Sequence, residues 1–446
     1  MQWAMVPALR GDPQIYAGFL PTDHISWVGV DFPLSSLISD TVVSPMATIR
    51  IPSEERRRRL AARHHLHPDH PAPSPAAAAR QQVGLHSSDP ATVFLAVWAR
   101  VAGVSIPEVE ESLYGKPPSM LRVIGMRRTL FAVPAELVPL LHHGCARRWA
   151  PAERRRLIGY LEDQGITDRG ETWVDRVADA TEAAIADRGE ASAMVLRELV
   201  PELRLTLAFG KGKKWGGKVG ISTRVLFLLA AEGRIVRARP RGSWISGQYR
   251  WSVTGSRLEG GIPDLDPVEA RSRLLELWLR TYGPGTEADL RWWTRWPLRD
   301  VRKALSALDI AEVEVGGGKA FVLRDDQGVT PEPEPWANLL PSLDSTVMGW
   351  RDRAWYLGDS SGPLFDRNGN AGPTVWWCGR VVGGWAHTTG GSIAYRLLED
   401  IGSRGEERVA ELASALEAWI GAKRVTPRFR TPLEKDLVAK TKTRGR

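Results

Sequence analysis

Within eight residues, Val83-Gly84-Leu85-His86-Ser87-Ser88-Asp89-Pro90, the chain places an imidazole, a hydroxyl and a carboxylate close together. An imidazole of ordinary pKa, about 6.5, accepts a proton near neutral pH. The Ser88 hydroxyl can hold a water molecule, and Asp89 can stabilise a developing positive charge or orient His86. Such a group suits hydrolysis by a positioned water. A second reading stands beside it: Asp followed by Pro is also a helix N-cap with proline at the first helical position.

Other constellations carry less chemistry. His64, His65, His67, Asp69 and His70 match no zinc spacing and border a Pro-rich stretch without cysteine, so no metal is expected. Asp264 and Asp266 form a D-x-D pair, but in a Gly/Pro linker, where a spacer fits better than the carboxylate cluster of a Mg²⁺ nuclease. The glycine-rich stretches form neither a Walker loop nor a dinucleotide fingerprint, and no cofactor is expected. Two cysteines, Cys145 and Cys378, exclude a disulfide framework and a four-cysteine zinc site, and suit a reducing cytoplasm. No run of apolar residues approaches the ~18 of a membrane span.

The chain carries 60 Lys+Arg against 52 Asp+Glu, a net charge of +8, which fits a polyanionic partner. Arginine gathers at Arg56 to Arg59, Arg154 to Arg156 and Arg237 to Arg241. Arg127, Arg128 and Thr129 are candidates for phosphate contact, with a solvated basic face as the alternative. Lys211, Lys213, Lys214 and Lys218 surround Trp215 in a Gly-rich loop suited to backbone contact. A hairpin carrying Arg237, Arg239 and Arg241, with Trp244 and Gln248 at its tip, has the form of a groove-entering wing. Most of the 19 tryptophans, Trp292, Trp293 and Trp296 among them, are expected in cores.

The elements that must position these residues follow one grammar. Residues 1–45 lack helical periodicity and read as a loosely ordered arm; a basic helix then begins at Pro52, followed by a Pro-rich linker at His67 to Pro75. The spacing predicts helices over Ala76–Leu85 and, after Asp89, over Val93–Val101, with the candidate residues at the break between them. Helices are predicted at Ala152–Asp163, Thr172–Ala186, Ala191–Leu203 and Ser222–Glu232, with a basic hairpin at Leu205–Val219 and strands at Arg234–Arg239 and Gln248–Val253. The order repeats with helices at Val268–Thr281, after an N-cap at Thr286 and from Pro297, then strands Ile310–Val315 and Ala320–Leu323. Helix, helix and basic β-wing is the winged-helix plan. The expected organisation is α+β: a first winged-helix unit at 46–150 holding the motif, a second at 151–260, a third at 261–330, a β-rich C-terminal domain with a terminal helix at 331–425, and a fraying basic tail at 426–446.

Several of these phrases resemble the winged-helix DNA glycosylases related to AlkZ and YcaQ. Val83 to Pro90 is similar to that family's GLQxQ signature, Arg127-Arg128-Thr129-Leu130 to its RGTLH element, and Arg280 to Thr286 to its RxYGPxT phrase. Leu339 to Arg353 and Phe365 to Gly369 resemble its C-terminal block. The resemblance implies tandem winged-helix units forming a concave channel for double-stranded DNA, closed by the β-rich domain and able to act as a monomer. It also implies hydrolysis of the N-glycosidic bond of N7-alkylguanines and other alkylated purines, with bulky adducts and interstrand crosslinks among the substrates, in repair or self-resistance. Where those relatives carry Gln-x-Gln or Gln-x-Asp, this chain has His86-x-Ser88 followed by Asp89, so the catalytic set expected is His86, Ser88 and Asp89. An N7-alkylated base is already cationic and leaves neutral, so a water positioner and a nearby carboxylate suffice. The competing expectation is a winged-helix regulator that binds DNA without chemistry.

Overall fold

The computed structural model describes residues 49–209 and 217–443. The expected arm at 1–45 and Lys211, Lys213 and Lys214 lie outside the described residues.

The first segment is built from strong local signals. Ser74 caps the helix Pro75–Gln81 through its Oγ and the Ala77 N–H. Asp89 caps Pro90–Trp98, and Ser105 with Glu108 forms a capping box on Ile106–Tyr114. The first helix stops four residues short of Leu85. Val83 and Gly84 take positive φ, 50° and 108°, and turn the chain into a two-residue strand, Leu85–His86. A Cβ at Gly84 would lie 2.7 Å from Cγ1 of Val133, so both conformation and space demand glycine there.

Leu85–His86 is one edge of a six-stranded sheet. Across it the order is Leu85–His86, Leu130–Pro134, Met120–Ile124, Ile235–Pro240, Tyr249–Val253 and Ala191–Ser192. The Arg122–Arg237 pairing joins sequence on either side of the boundary expected near 150, so that boundary falls within one continuous sheet. Ala191–Ser192 is a strand where helix was expected; the helix there spans Ala193–Leu199. The third helix–hairpin repeat follows the prediction closely: Pro267–Tyr282, Glu287–Thr294 capped by Thr286, Leu298–Leu305, then Ile310–Val315 paired with Gly318–Leu323. Ile49–Arg50 adds a parallel strand to that hairpin, which no local pattern signalled.

The C-terminal region holds a four-stranded antiparallel sheet, Ala337–Leu340, Thr374–Trp377, Arg380–His387 and Ile393–Leu397, and the helix Gly402–Ile420. The expected fraying tail is instead helical over Pro432–Thr443. Leu433 and Leu437 are buried in the main core, which holds that helix in place. The same core runs from Leu60 through Trp278, Tyr282 and Trp293 to Trp350, Trp376 and Leu433, so residues from both ends of the described chain share one interior. Trp278, Trp296, Trp336, Trp350, Trp376 and Trp385 are fully buried, as their apolar area favours.

Candidate functional site

The sheet register decides which way the motif faces. Opposed residues on neighbouring strands share a face. His86 is opposite Phe131, which is opposite Val123, whereas Leu85, Ala132 and Arg122 belong to the other face. The His86 ring meets Phe131 edge-on, with centroids 5.2 Å apart. The Ser88 amide approaches its Nδ1 at 3.5 Å, the limit of a hydrogen bond. Burial, reinforced by the charge of Arg127, pushes the His86 imidazole down to about 3. His86 is therefore neutral at physiological pH, a hydrogen-bonding group and a weaker base than an imidazole of ordinary pKa.

Asp89 is the N-cap its Asp-Pro context allowed, and it does more. Oδ1 accepts from the Ala91 N–H at 3.1 Å and Oδ2 from the Arg428 N–H at 2.7 Å. Burial raises its carboxyl above the ordinary value, opposed by those two N–H groups and by the charges of Arg428 and Arg122. The Arg428 guanidinium also donates to the carbonyl of Ser88 at 3.2 Å. The motif is thus clamped from the C-terminal segment expected to fray. Ser88 is partly exposed and joins the group through its backbone; no hydrogen bond links His86 to Asp89.

A second clamp comes from the Leu339 to Arg353 phrase. Thr92 Oγ1 donates to Ser342 O at 2.8 Å and Ser345 Oγ to Gly84 O at 2.9 Å. Arg100, just beyond the helix that Asp89 caps, forms a fully buried bidentate pair with Asp344 at 2.7 and 2.9 Å. Thr346 Oγ1 bridges Arg100 to Nδ1 of His64, whose Nε2 faces the Thr281 carbonyl. Both His64 nitrogens are thereby engaged by protein atoms.

The other candidates separate sharply. Arg127 has φ 55°, stacks over Trp292 at 4.5 Å and keeps a buried Nε without a partner. Arg128 instead pairs with Glu153 at 2.8 Å and covers Trp149 and Phe227, and Thr129 Oγ1 bonds the Met126 carbonyl. Arg237 lies over Tyr249 and Trp251, and Arg239 pairs with Glu110 over Tyr114. Trp244 is not at an exposed tip: it is 3 % exposed, packed on Phe94 and Trp419. Of the candidates at that turn, Arg241 and Gln248 are exposed. The basic run Arg56 to Arg59 is also spent internally, on Trp355, Glu54, Glu332, Glu55 and Asp326.

Sequence reasoning missed the surface next to Arg127. There an open groove of about 900 Å³ is lined by Arg148, Arg291, Trp292, Arg295, Arg302, Lys319 and Arg351, with Glu287 as its single acidic lining residue. Trp292 is partly exposed, unlike the buried Trp293 and Trp296. Arg353 stacks on Trp292 at 5.0 Å, and the charges of Arg353 and Arg295 join burial in lowering Arg127 to about 10.

Comparison with known proteins bears on this arrangement directly. The sequence profile of the family described as DNA glycosylase AlkZ-like matches residues 79–421, from the helix before the motif to the end of the helix Gly402–Ile420. The chain belongs to the AlkZ-like DNA glycosylase family. It is a DNA glycosylase, which decides against a regulator without chemistry. Among solved structures, the fold is similar to that of the Streptomyces sahachiroi DNA glycosylase AlkZ, with a TM-score of 0.65 and 20% identity over 85% of this chain and 100% of that one. No curated sequence matches the chain. The family match stops short of Arg428, the residue that donates to Asp89 and Ser88.

Proposed function

We propose that this glycosylase hydrolyses the N-glycosidic bond of cationic alkylated purines in duplex DNA, N7-alkylguanine above all. Bulky adducts and interstrand crosslinks fall within the same chemistry, in repair or self-resistance. The observation that carries the reading is the burial of His86 against Phe131 with no carboxylate among the described residues bonded to its ring, a setting that disfavours the imidazolium an acid catalyst would need. A neutral imidazole lends or accepts a hydrogen bond but does not protonate a leaving base. In the proposed reaction the C1′–N9 bond breaks and its electron pair goes to the positively charged purine, which leaves neutral. Water held by His86 and Ser88 adds to C1′ and gives its proton to solvent. Asp89, with each oxygen already held by one N–H, keeps acceptor capacity for the cationic sugar.

The helix, helix, hairpin order repeated through 75–134, 170–253 and 267–323 supports tandem winged-helix units flanking a channel, acting as a monomer in the cytoplasm. Of the residues expected to bind DNA, the exposed Arg241 and Gln248 and the Trp292-stacked Arg127 are kept as proposed contacts. The internal partners of Arg128, Thr129, Arg237 and Arg239 support a structural part for those four. The test is single-turnover excision, without added metal, from matched duplexes bearing N7-methylguanine, a bulky N7 adduct, uracil or 8-oxoguanine. Release of the two cationic bases, leaving alkali-labile sites, is expected. Efficient release of either neutral base would mean that an acid acts in the site and would overturn this mechanism.

A further inference from the structure

The groove beside Arg127 has three features that ordinary surface arginines lack. First, its cations outnumber its acids: six of them line it against Glu287, which is already held by Arg302 at 2.8 Å. Second, Arg291, Arg295 and Arg351 are exposed and have no carboxylate partner among the described residues. This contrasts with their neighbours: Arg280 pairs with Asp325, Arg302 with Glu287 and Arg324 with Asp309. Third, like charges are gathered where a neutral surface would spread them. Arg127 and Arg353 both stack on the Trp292 ring, and Arg295 is close enough to lower Arg127 further. Guanidiniums held together without an anion carry a mutual repulsion that a bound anion relieves, and the planar fork of arginine matches phosphate.

We propose that this groove is a track for the DNA sugar-phosphate backbone, with phosphates bound by Arg291, Arg295 and Arg351 and the next one toward the motif by Arg127. The proposal rests on the reading of the chain as a glycosylase of duplex DNA. It gives that reading a direction, since Arg127, stacked on the groove residue Trp292, sits in the turn before Leu130–Pro134, the strand paired with Leu85–His86. Trp292 at the groove wall supplies the rigid ring that fixes Arg127 and Arg353 in place.

The experiment measures binding apart from chemistry. Affinity for a fluorescent undamaged duplex is followed by anisotropy between about 50 and 200 mM salt, a range in which counterion release dominates. The wild type is compared with Arg291→Ala/Arg295→Ala/Arg351→Ala and with a control, Arg280→Ala/Arg324→Ala, that removes two paired arginines. Three lost phosphate contacts should flatten the slope of log affinity against log salt by about 2.7, since each contributes roughly 0.9. The control, whose arginines lie outside the groove, should keep both the wild-type slope and the wild-type single-turnover excision rate. A triple variant that melts like the wild type and flattens the slope no more than the control does overturns the track. Failure of the glycosylase reading looks different: the slope flattens as expected, yet no lesion is released by the wild type.

Discussion

The two central side chains carry different kinds of function. His86 is held neutral by burial and by Arg127, down to about 3, so its folded pKa lies well below the unfolded 6.5. The sign follows: the unfolded chain binds the extra proton first, so stability is intact above pH 6.5 and falls as pH drops from there toward 3. Excision should accordingly show no inflection near pH 6.5; a rate that climbs with ionisation of a group at 6.5 would restore His86 as a base. A neutral imidazole and a primary amide offer similar hydrogen bonds. His86→Gln should therefore retain excision within about tenfold of wild type, whereas His86→Ala should lose ~10²-fold or more, the range for one catalytic element. Asp89 needs a subtler test. Asn caps a helix as well as Asp does, but here its amide NH₂ would confront the Arg428 N–H that now donates to Oδ2. Arg428→Pro removes that donor, together with the guanidinium that bonds the Ser88 carbonyl and favours the ionised Asp89. Asp89→Asn/Arg428→Pro should recover the melting temperature lost by Asp89→Asn alone, yet remain ~10²-fold slow if the carboxylate stabilises the sugar cation. Recovery of both would assign Asp89 to structure alone.

At the scale of elements, what was legible in the sequence is what local physics encodes. Thr286 and Pro297 start helices, glycines turn the hairpin at Val315, and apolar spacing marks Pro267–Tyr282. Pairings between distant segments left no such trace. Nothing around Arg122 specifies Arg237 as its neighbour, and Ile49–Arg50 is too short to show alternation. Charge was misread for a related reason: runs of arginine stand out in a sequence, but their carboxylate partners, such as Asp326 for Arg59 and Arg63, lie far along the chain. In the groove, cations without a carboxylate partner among the described residues come singly in sequence, Arg291, Arg295 and Arg351 among them. Trp244 lies at the tip of the hairpin in sequence, yet the turn folds back and buries the ring on Phe94. The Asp344–Arg100 pair ties the C-terminal block to the helix that Asp89 caps, with neither side chain exposed. Asp344→Asn should strand the guanidinium and cost roughly 3–5 kcal/mol in denaturant unfolding, the usual range for breaking a buried pair. A loss below about 1 kcal/mol, as for an exposed pair, would show that water reaches Arg100.

For the whole molecule, the two ends of the chain should differ in consequence. Residues 1–45 have no helical periodicity and fall before the first described strand, Ile49–Arg50. The basic tail at 426–446 reads as fraying in sequence, and it lies outside the family match. In the fold it is tied in two ways: Leu433 and Leu437 are buried in the main core, and the Arg428 N–H donates to Asp89. Burying two leucines contributes about 3–6 kcal/mol by transfer alone, a large share of the 5–15 kcal/mol that holds a typical domain together. Deletion through Pro45 should leave melting temperature and excision nearly unchanged. Deletion from Pro427 onward should lower both. The two losses can be told apart, because Leu433→Ala/Leu437→Ala keeps the Arg428 N–H and should lower stability while leaving the rate at low temperature within a few-fold. If the C-terminal deletion excises normally under conditions where it is folded, Asp89 does not depend on Arg428, and the clamp across the motif has no part in the chemistry.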